Sequence, residues 1–527
     1  MSSVSTLPGK PSRGPFSLVL RNVTSSWAVL LVNTIISFVL APLVVRHLGS
    51  VYYGVWSLLM QFTGYLWLFD FGVRESVIKY VAQYRASGEH QKLESTVRTA
   101  ISVYAVIALL ALAAVGLMVG VLPFVFNIPP DAVRTARIAA FVTGANVAQS
   151  FLTNVFVGML MGLQRIYLVS QVGVLFSVVR AVGTYLLLVN GYGIVGLSLL
   201  HLALSLSNAS LVVWLCHVHL PEVPLRPIRP TREEVTKLFN YGKYVLLANI
   251  GDKFVFATDA LVIGMFLPIA SLTPYAIAGT LIGHMRSVVM AMASIFNPLT
   301  SHLRAGGDET ALQIVLRSGA KAAMTVGLPL CIGFIMLGER FVMLWMGPTH
   351  APMASRVMMA LAAGYIIGLP YYTISGILYG LGAHRTVAIL RIVEGAMNLV
   401  LSVTLVNTIG LIGVAIGTAI PHMIVVGWVL PRALPNIFPV DLREYYRTVY
   451  GRTLLAAVPF ALVCWTIRDI VQPPNLPSFF LWGLASLVTY VVPVWLITLT
   501  DDERRHLSGM ARIAPRASVK KPLEKLS

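Results

Sequence analysis

The sequence predicts an all-α polytopic membrane protein of about 14 transmembrane helices: two parallel six-helix lobes followed by two C-terminal helices. Three observations predict it. The 527 residues are 57% hydrophobic and only 11% charged, with mean hydropathy +0.79, whereas about a quarter of a soluble chain is charged. The basic residues are distributed asymmetrically about the apolar runs. The first twelve of those runs repeat internally. The composition alone excludes a soluble enzyme, a disordered chain and a disulfide scaffold.

The expected spans, each long enough to cross a bilayer, are 24–45, 51–72, 99–125, 138–161, 167–189, 194–217, 244–267, 274–300, 322–338, 357–381, 387–406, 411–431, 453–471 and 478–500. The first 16 residues are polar and rich in Pro and Ser, and the first apolar run is long enough to stay in the membrane, so no cleavable signal peptide is expected. Cys216, Cys331 and Cys464 fall in or at the end of apolar runs, which speaks against disulfides.

The net charge of +18 would point to nucleic acid in a soluble protein. Here it follows the positive-inside rule. With the N-terminus placed in the cytoplasm, 29 of the 39 basic residues fall in cytoplasmic segments, 6 on the other side and 4 inside spans. Both termini are therefore expected inside, and no nucleic-acid partner is expected.

The repeat rests on four anchors. Arg85-Ala-Ser-Gly88-Glu89 returns as Arg304-Ala-Gly-Gly307-Asp308, Gly158-x3-Gly162 as Gly376-x3-Gly380, and Gly193-x2-Gly196 as Gly410-x2-Gly413; Asn33 matches Asn249. The spacings run from 219 to 216 in the same order. Six spans is an even number, so both halves start on the same side and their pseudo-twofold axis runs along the membrane normal, as in parallel-repeat transporters. The expected organisation is an N-lobe (1–217), an inter-lobe linker (218–243), a C-lobe (244–432), spans 13 and 14 (433–500) and a basic tail (501–527).

Gly191-Tyr-Gly193-Ile-Val-Gly196 has the form G-x-G-x-x-G, but it joins two spans and follows no strand, so it reads as a tight turn. The Gly158/Gly162 and Gly376/Gly380 pairs read as close helix–helix faces. Segment 73–98 spaces Val73, Val77, Ile78 and Val81 for an interfacial amphipathic helix. The basic, Pro-containing stretch from Arg226 to Lys237 reads as a stiff solvated link near anionic lipid. No catalytic constellation, nucleotide loop or Cys/His metal spacing occurs, and the longest outer connection, about 339–356, is too short for a catalytic domain. No cofactor or metal is expected.

Ionisable residues inside spans carry the functional signal, because charge in hydrocarbon must face water or a partner. The basic ones are Arg180, Lys253, Arg286 and Arg391. The acidic ones are Asp252, Asp259 and Glu394, with Asp70 near the end of span 2. Asp252 and Asp259, seven apart, share a helix face with Phe256 between them. Arg391 and Glu394, three apart, can pair within their own helix. Arg286 and Arg180 have no local acidic partner, and a guanidinium suits bidentate phosphate capture. Two readings stand: an anionic, phosphate-bearing substrate held by Arg286 and Lys253, with Arg180 further out and Arg391 as a further substrate-binding candidate, or long-range pairing of Arg286 with Asp252 or Asp259. The carboxylates, Asp70 and Glu394 included, are candidates for ion coupling or salt bridging.

Asn33 through Arg46-His-Leu48-Gly49, Tyr53-Gly54-Val-Trp56, Phe69-Asp70-Phe71-Gly72, Tyr80-Val-Ala and Tyr84-Arg85 together resemble the bacterial polysaccharide-repeat flippases, Wzx-like members of the multidrug/oligosaccharidyl-lipid/polysaccharide exporter superfamily. Thr258-Asp259-Ala-Leu-Val-Ile-Gly264, then Tyr275-Ala-Ile-Ala278, resembles the start of their second lobe. The order and spacing of these loose motifs span most of residues 20–432. The resemblance implies a V-shaped, MATE-like fold and no enzymatic activity. It also implies flipping of undecaprenyl-pyrophosphate-linked oligosaccharide across the bacterial inner membrane through a cationic cavity, with ion coupling in some members. Membrane lipids and a polysaccharide polymerase are the implied partners. By motif position it carries over only Asp70 and Asp259. The alternatives are a cation-coupled multidrug exporter, which would favour an acidic cavity, a lipid II flippase of the same fold, and a membrane polymerase or ligase, against which the short outer loops speak.

Overall fold

The computed structural model describes residues 15–505 apart from 294–295, 308, 438 and 502. The side chains of residues 15–26, 241–249, 252, 256, 297–298 and 305 are not among those described, so Asp252, Phe256, Asn249 and Asp308 lie outside the described residues, as does most of the basic tail. Two compact units divide the chain, residues 1–273 and 274–527.

Among the described residues, unit 1 is built from eight α-helices: α1 (Pro15–Leu66), α2 (Val73–Ser87), α3 (His90–Val125), α4 (Pro130–Gly162), α5 (Ile166–Val189), α6 (Gly193–His219), α7 (Arg232–Phe256) and α8 (Thr258–Phe266). Helix α1 carries the first two expected spans, joined across Gly49, whose φ of 72° and ψ of 171° break the helix. Glycine adopts that backbone without the steric penalty a Cβ would bring. Helix α2 ends at Ser87 with Gly88 as its left-handed cap, so the amphipathic segment is shorter than expected. Its apolar stripe is covered by protein, because a Cβ on Gly158 would lie 3.1 Å from Val77 and one on Gly162 2.9 Å from the Ile78 carbonyl. These small residues let α4 approach α2 closely.

The expected linker is extended only as far as Thr231, whose hydroxyl caps α7 by accepting the Glu234 amide. Helix α7 then packs on α2 and α3, with Ser76 donating to the Leu238 carbonyl at 2.7 Å and Thr99 to Glu234 at 3.0 Å. A Cβ on Gly54 would meet the Ile269 carbonyl oxygen at 2.2 Å, and Thr273 donates to the Ser50 carbonyl at 2.7 Å. The α7–α8 segment and the turn after it thus group with unit 1. The expected lobes follow the sequence repeat, whereas the compact units follow packing, and the two divisions differ by this segment.

Unit 2 takes in α9 (Leu272–Ala293) from Pro274 onward, α10 (Phe296–Ala305), α11 (Glu309–Met346), α12 (Ala351–Gly368), α13 (Tyr371–Gly380), α14 (His384–Ile409) and α15 (Leu411–Ile424). The short α16 (Leu430–Ala433) and α17 (Leu442–Tyr445) precede α18 (Arg452–Thr466) and α19 (Leu476–Pro493). The helix pairings echo those of unit 1. In unit 1, α2 packs on α3 and α4, α3 on α4, α4 on α6 and α5 on α6; in unit 2, α10 packs on α11 and α13, α11 on α12, α12 on α15 and α14 on α15. The glycine anchors have matching roles at turns: Gly193 and Gly410 have φ of 61° and 65°. Helices α18 and α19 pack on each other and on α11.

Among the described residues, eleven helical stretches are long and apolar enough to cross a membrane. Helix α1 holds two expected spans, while α4 and the broken α7–α8 segment are not among the eleven. Polar residues at 143, 146, 149, 150, 153 and 154 dilute the apolar content of α4. Leu117, Phe124, Ile470 and Leu481 stand exposed on the spans, as a surface solvated by lipid tails requires.

Candidate functional site

In unit 2, five helices converge on a buried polar cluster. Helix α14 contributes Arg391 and Glu394, one turn apart, and their guanidinium and carboxylate meet at 2.7 Å with side chains 3% and 1% exposed. The other Glu394 oxygen lies 2.7 Å from His422 Nδ1 on α15. An ionised carboxylate only accepts, so Nδ1 carries the proton and donates. The opposite ring nitrogen, Nε2, faces Gly368 on α12, where a Cβ would lie 1.9 Å away. Glycine is needed at 368 for the imidazole to fit.

Aromatic rings enclose this ionic core. The Arg391 guanidinium stands 4.6 Å from the Tyr371 ring centre and Arg286, from α9, 5.9 Å from that of Tyr365. Such cation–π contacts are strongest where water is excluded. Tyr365 also lies 4.7 Å from the His422 ring, so one tyrosine joins Arg286 to the histidine. One turn beyond Glu394, Asn398 accepts from Ser402 at 2.8 Å and from Thr418 at 3.5 Å, tying α14 to α15.

The remaining site candidates described lie in unit 1. Asp70 sits at the elbow between α1 and α2, where one oxygen accepts from Tyr104 at 3.0 Å and Asn154 at 3.3 Å and the other from the Arg74 amide. Lys253 occupies the last turn of α7, with its ammonium over Gly64 of α1. The expected span 244–267 breaks directly after it, at Ala257, and buried Asp259 opens the helix beyond the break. Tyr65 bridges the break by bonding Thr258 at 2.9 Å and the Lys253 carbonyl at 3.4 Å. Arg180 is exposed midway along α5. It lies beside His201 of α6, whose ring packs edge-on to Trp56 at 5.3 Å.

The structure therefore brings Arg286, Arg391 and Glu394 into one aromatic-lined cluster, holds Lys253 and Asp259 on either side of a helix break, and sets Asp70 and Arg180 in separate surroundings. Sequence reasoning restricted to Lys, Arg, Asp and Glu passes over His422 and the two tyrosines, Tyr365 and Tyr371. The available signal was a histidine after Pro421 inside an apolar run. Among the described residues, no group of three His, Cys, Asp or Glu side chains is placed to hold a metal.

A helical bundle of apolar spans with ionisable groups held inside it defines a multi-pass membrane protein. The chain belongs to the polysaccharide biosynthesis protein family, whose model matches residues 19–303, and the resemblance to Wzx-like flippases is borne out. The chain is similar to the uncharacterized membrane protein EpsK of Bacillus subtilis, 22% identical over 92% of this chain and 96% of that protein. It is also similar to the probable low-salt glycan biosynthesis flippase Agl15 of Haloferax volcanii, 23% identical over 50% of this chain and 54% of that one. Two solved structures share the fold at a TM-score of 0.65. The lipid II flippase MurJ, in an inward closed conformation, is 14% identical, with 91% of this chain and 98% of that chain covered. An inward-facing multidrug MATE transporter is 18% identical, with 79% and 98% covered. Family and relatives alike identify a membrane flippase or transporter, not an enzyme.

Proposed function

We propose that the chain flips polyprenyl-pyrophosphate-linked oligosaccharide repeat units, carried on undecaprenol, from the inner to the outer leaflet of a bacterial inner membrane by alternating access, for surface or exopolysaccharide assembly. In this reading fourteen spans form two parallel six-helix lobes in a V-shaped, MATE-like arrangement, with spans 13 and 14 appended and both termini in the cytoplasm. The excess of basic residues on one side of the spans supports that orientation.

The observation that carries the proposal is Arg286, a guanidinium held within a span against the Tyr365 ring, while Glu394 already neutralises the neighbouring Arg391. Arg286 and Lys253 engage the pyrophosphate, and Arg180 guides it further out. Arg391 acts through its pair with Glu394. Asp259, beside the helix break that follows Lys253, and Asp70 are the candidates for ion coupling; interrupted helices commonly build transporter ion sites. Lipid II is the neighbouring substrate class on this fold. A multidrug exporter would need free carboxylates, and Glu394 is committed to Arg391 and His422. A polysaccharide polymerase would take up the product.

The test replaces Arg286 and Lys253 singly by Ala and measures surface polysaccharide at matched expression. Removing a charge-assisted contact of about 1.5–3 kcal/mol should lower export roughly tenfold or more. Full export in both variants rules out this site.

A further inference from the structure

Unit 1 carries a polar strip that its charged residues do not account for. Asn146, Gln149 and Ser150 lie three and four residues apart on α4, so they share one face. His201 and Ser205 do the same on α6. All sit in the central turns of long helices, the depth at which polar groups are most costly in lipid. Ser205 donates to Gln149 at 2.6 Å, Gln149 to Thr153 at 2.8 Å, and the Ser150 and Ser205 hydroxyls lie 3.5 Å apart.

Hydrogen bonding between membrane helices explains the Gln149–Ser205 contact. It does not explain the rest. The amide oxygen of Asn146 is buried with no hydrogen-bond partner among the described residues. Arg180, midway along α5, is exposed, and a guanidinium at that depth is tolerated only where water or a polar partner reaches it. The strip thus continues past the α4–α6 contact to His201, which packs against the half-buried Trp56.

The chemistry of this surface is specific. It offers amide and hydroxyl groups that both donate and accept, an imidazole, a flat indole and one guanidinium, with no carboxylate among these residues. A phosphate would call for several cations, and a cationic drug for an acid. Neutral donors and acceptors in a fixed array match sugar hydroxyls, and an indole face matches the C–H side of a pyranose ring. We infer that this face of unit 1 binds the glycan of the substrate, whose pyrophosphate is left to Arg286 and Lys253. The inference rests on the flippase reading above.

The full-length protein, reconstituted in proteoliposomes, is tested with two probes: a polyprenyl-pyrophosphoryl trisaccharide and the same lipid bearing a single N-acetylglucosamine. The readout is the ratio of their flipping rates. Asn146→Ala and Trp56→Ala should each lower the trisaccharide-to-monosaccharide ratio about tenfold, equivalent to losing one or two net hydrogen bonds or their packing counterpart. Trp56→Phe, which keeps an aromatic face, should restore most of it. An unchanged ratio overturns the inference, whether both rates fall together, as loosened packing would produce, or neither falls. A wild-type protein that flips neither probe overturns the flippase reading itself, and this inference with it.

Discussion

The two units use one helical plan with opposite chemistry. At the repeat spacing of 217–218, Ser205 of unit 1 falls where unit 2 has His422, and Ser150 falls where unit 2 has Gly368. Arg180 and His201 fall where unit 2 has Asn398 and Thr418. The positions that touch are conserved as positions: Ser150 faces Ser205, and Gly368 faces His422. At this seam unit 2 buries an ionic triad, and unit 1 places neutral hydroxyls and an amide. At the outer pair the assignment reverses, with Asn398 and Thr418 bonded in the core of unit 2 and Arg180 exposed on unit 1. Matched positions between helices therefore carry different chemistry in the two units.

The largest test of this contrast compares one bond from each seam. Glu394→Gln leaves the buried Arg391 guanidinium without its counter-charge, and breaking a buried ion pair typically costs about 3–5 kcal/mol. Ser205→Ala in unit 1 removes a neutral hydrogen bond, for which about 0.5–1.5 kcal/mol is expected. Thermal unfolding in detergent, followed by size-exclusion chromatography, reads both. Replacing Arg391 and Glu394 together by Met should recover part of the Glu394→Gln loss, because no orphaned charge remains. Equal destabilisation by the two single variants would remove the distinction between the seams.

A smaller effect comes from the residues facing the seam. Gly368→Ala places a methyl group 1.9 Å from His422 Nε2, and overpacking of this kind costs about 1–3 kcal/mol. Combining it with His422→Ala should relieve the clash, so the two changes together cost less than their sum. Ser150→Ala, at the matching place in unit 1, removes atoms where the seam already holds a side chain and should shift stability by under about 1 kcal/mol. Additive behaviour of the unit 2 pair would show that Gly368 is not there to admit the imidazole.

Much of this plan was legible in the sequence, and the reasons mark where legibility stops. The repeat is visible because glycines at turns and close helix contacts tolerate few replacements. The Arg391–Glu394 pair is visible because a spacing of three places two side chains on one helix face. The start of α7 is signalled by Thr231 with Glu234 three residues on, a helix-start pattern, but the apolar run begins only at 244, so hydropathy alone places the start of the helix too late. His422 was hidden because its partners Glu394, Tyr365 and Gly368 come from other helices. The strip on α4 was hidden in the same way: Asn146 and Gln149 are ordinary polar residues until α6 and α5 are set beside them.

The smallest effect concerns what unit 2 has and unit 1 lacks, the two helices outside the repeat. Their far end is fastened to α11. Glu503 accepts from Lys321 at 2.5 Å, Ser318 at 3.1 Å and the Thr500 amide at 2.9 Å, and Lys321 also reaches the Thr498 carbonyl. Burial alone would raise the Glu503 carboxyl, but the Lys321 ammonium, the Thr500 amide and the Ser318 hydroxyl outweigh it and hold the group below the ordinary glutamate range. A carboxyl depressed in the folded state binds protons more readily when unfolded, so its contribution is complete above the unfolded value of about 4.3 and is lost as the pH falls toward the lower folded value. Because the carboxylate is partly exposed, the contribution is about 1 kcal/mol or less. The melting temperature of Glu503→Gln should therefore lie slightly below wild type at about pH 7, and the gap should close as the pH drops below about 4. A gap that persists in acid would mean that Glu503 holds the appended helices through shape and neutral hydrogen bonds, in contrast to the ionic seam of the same unit.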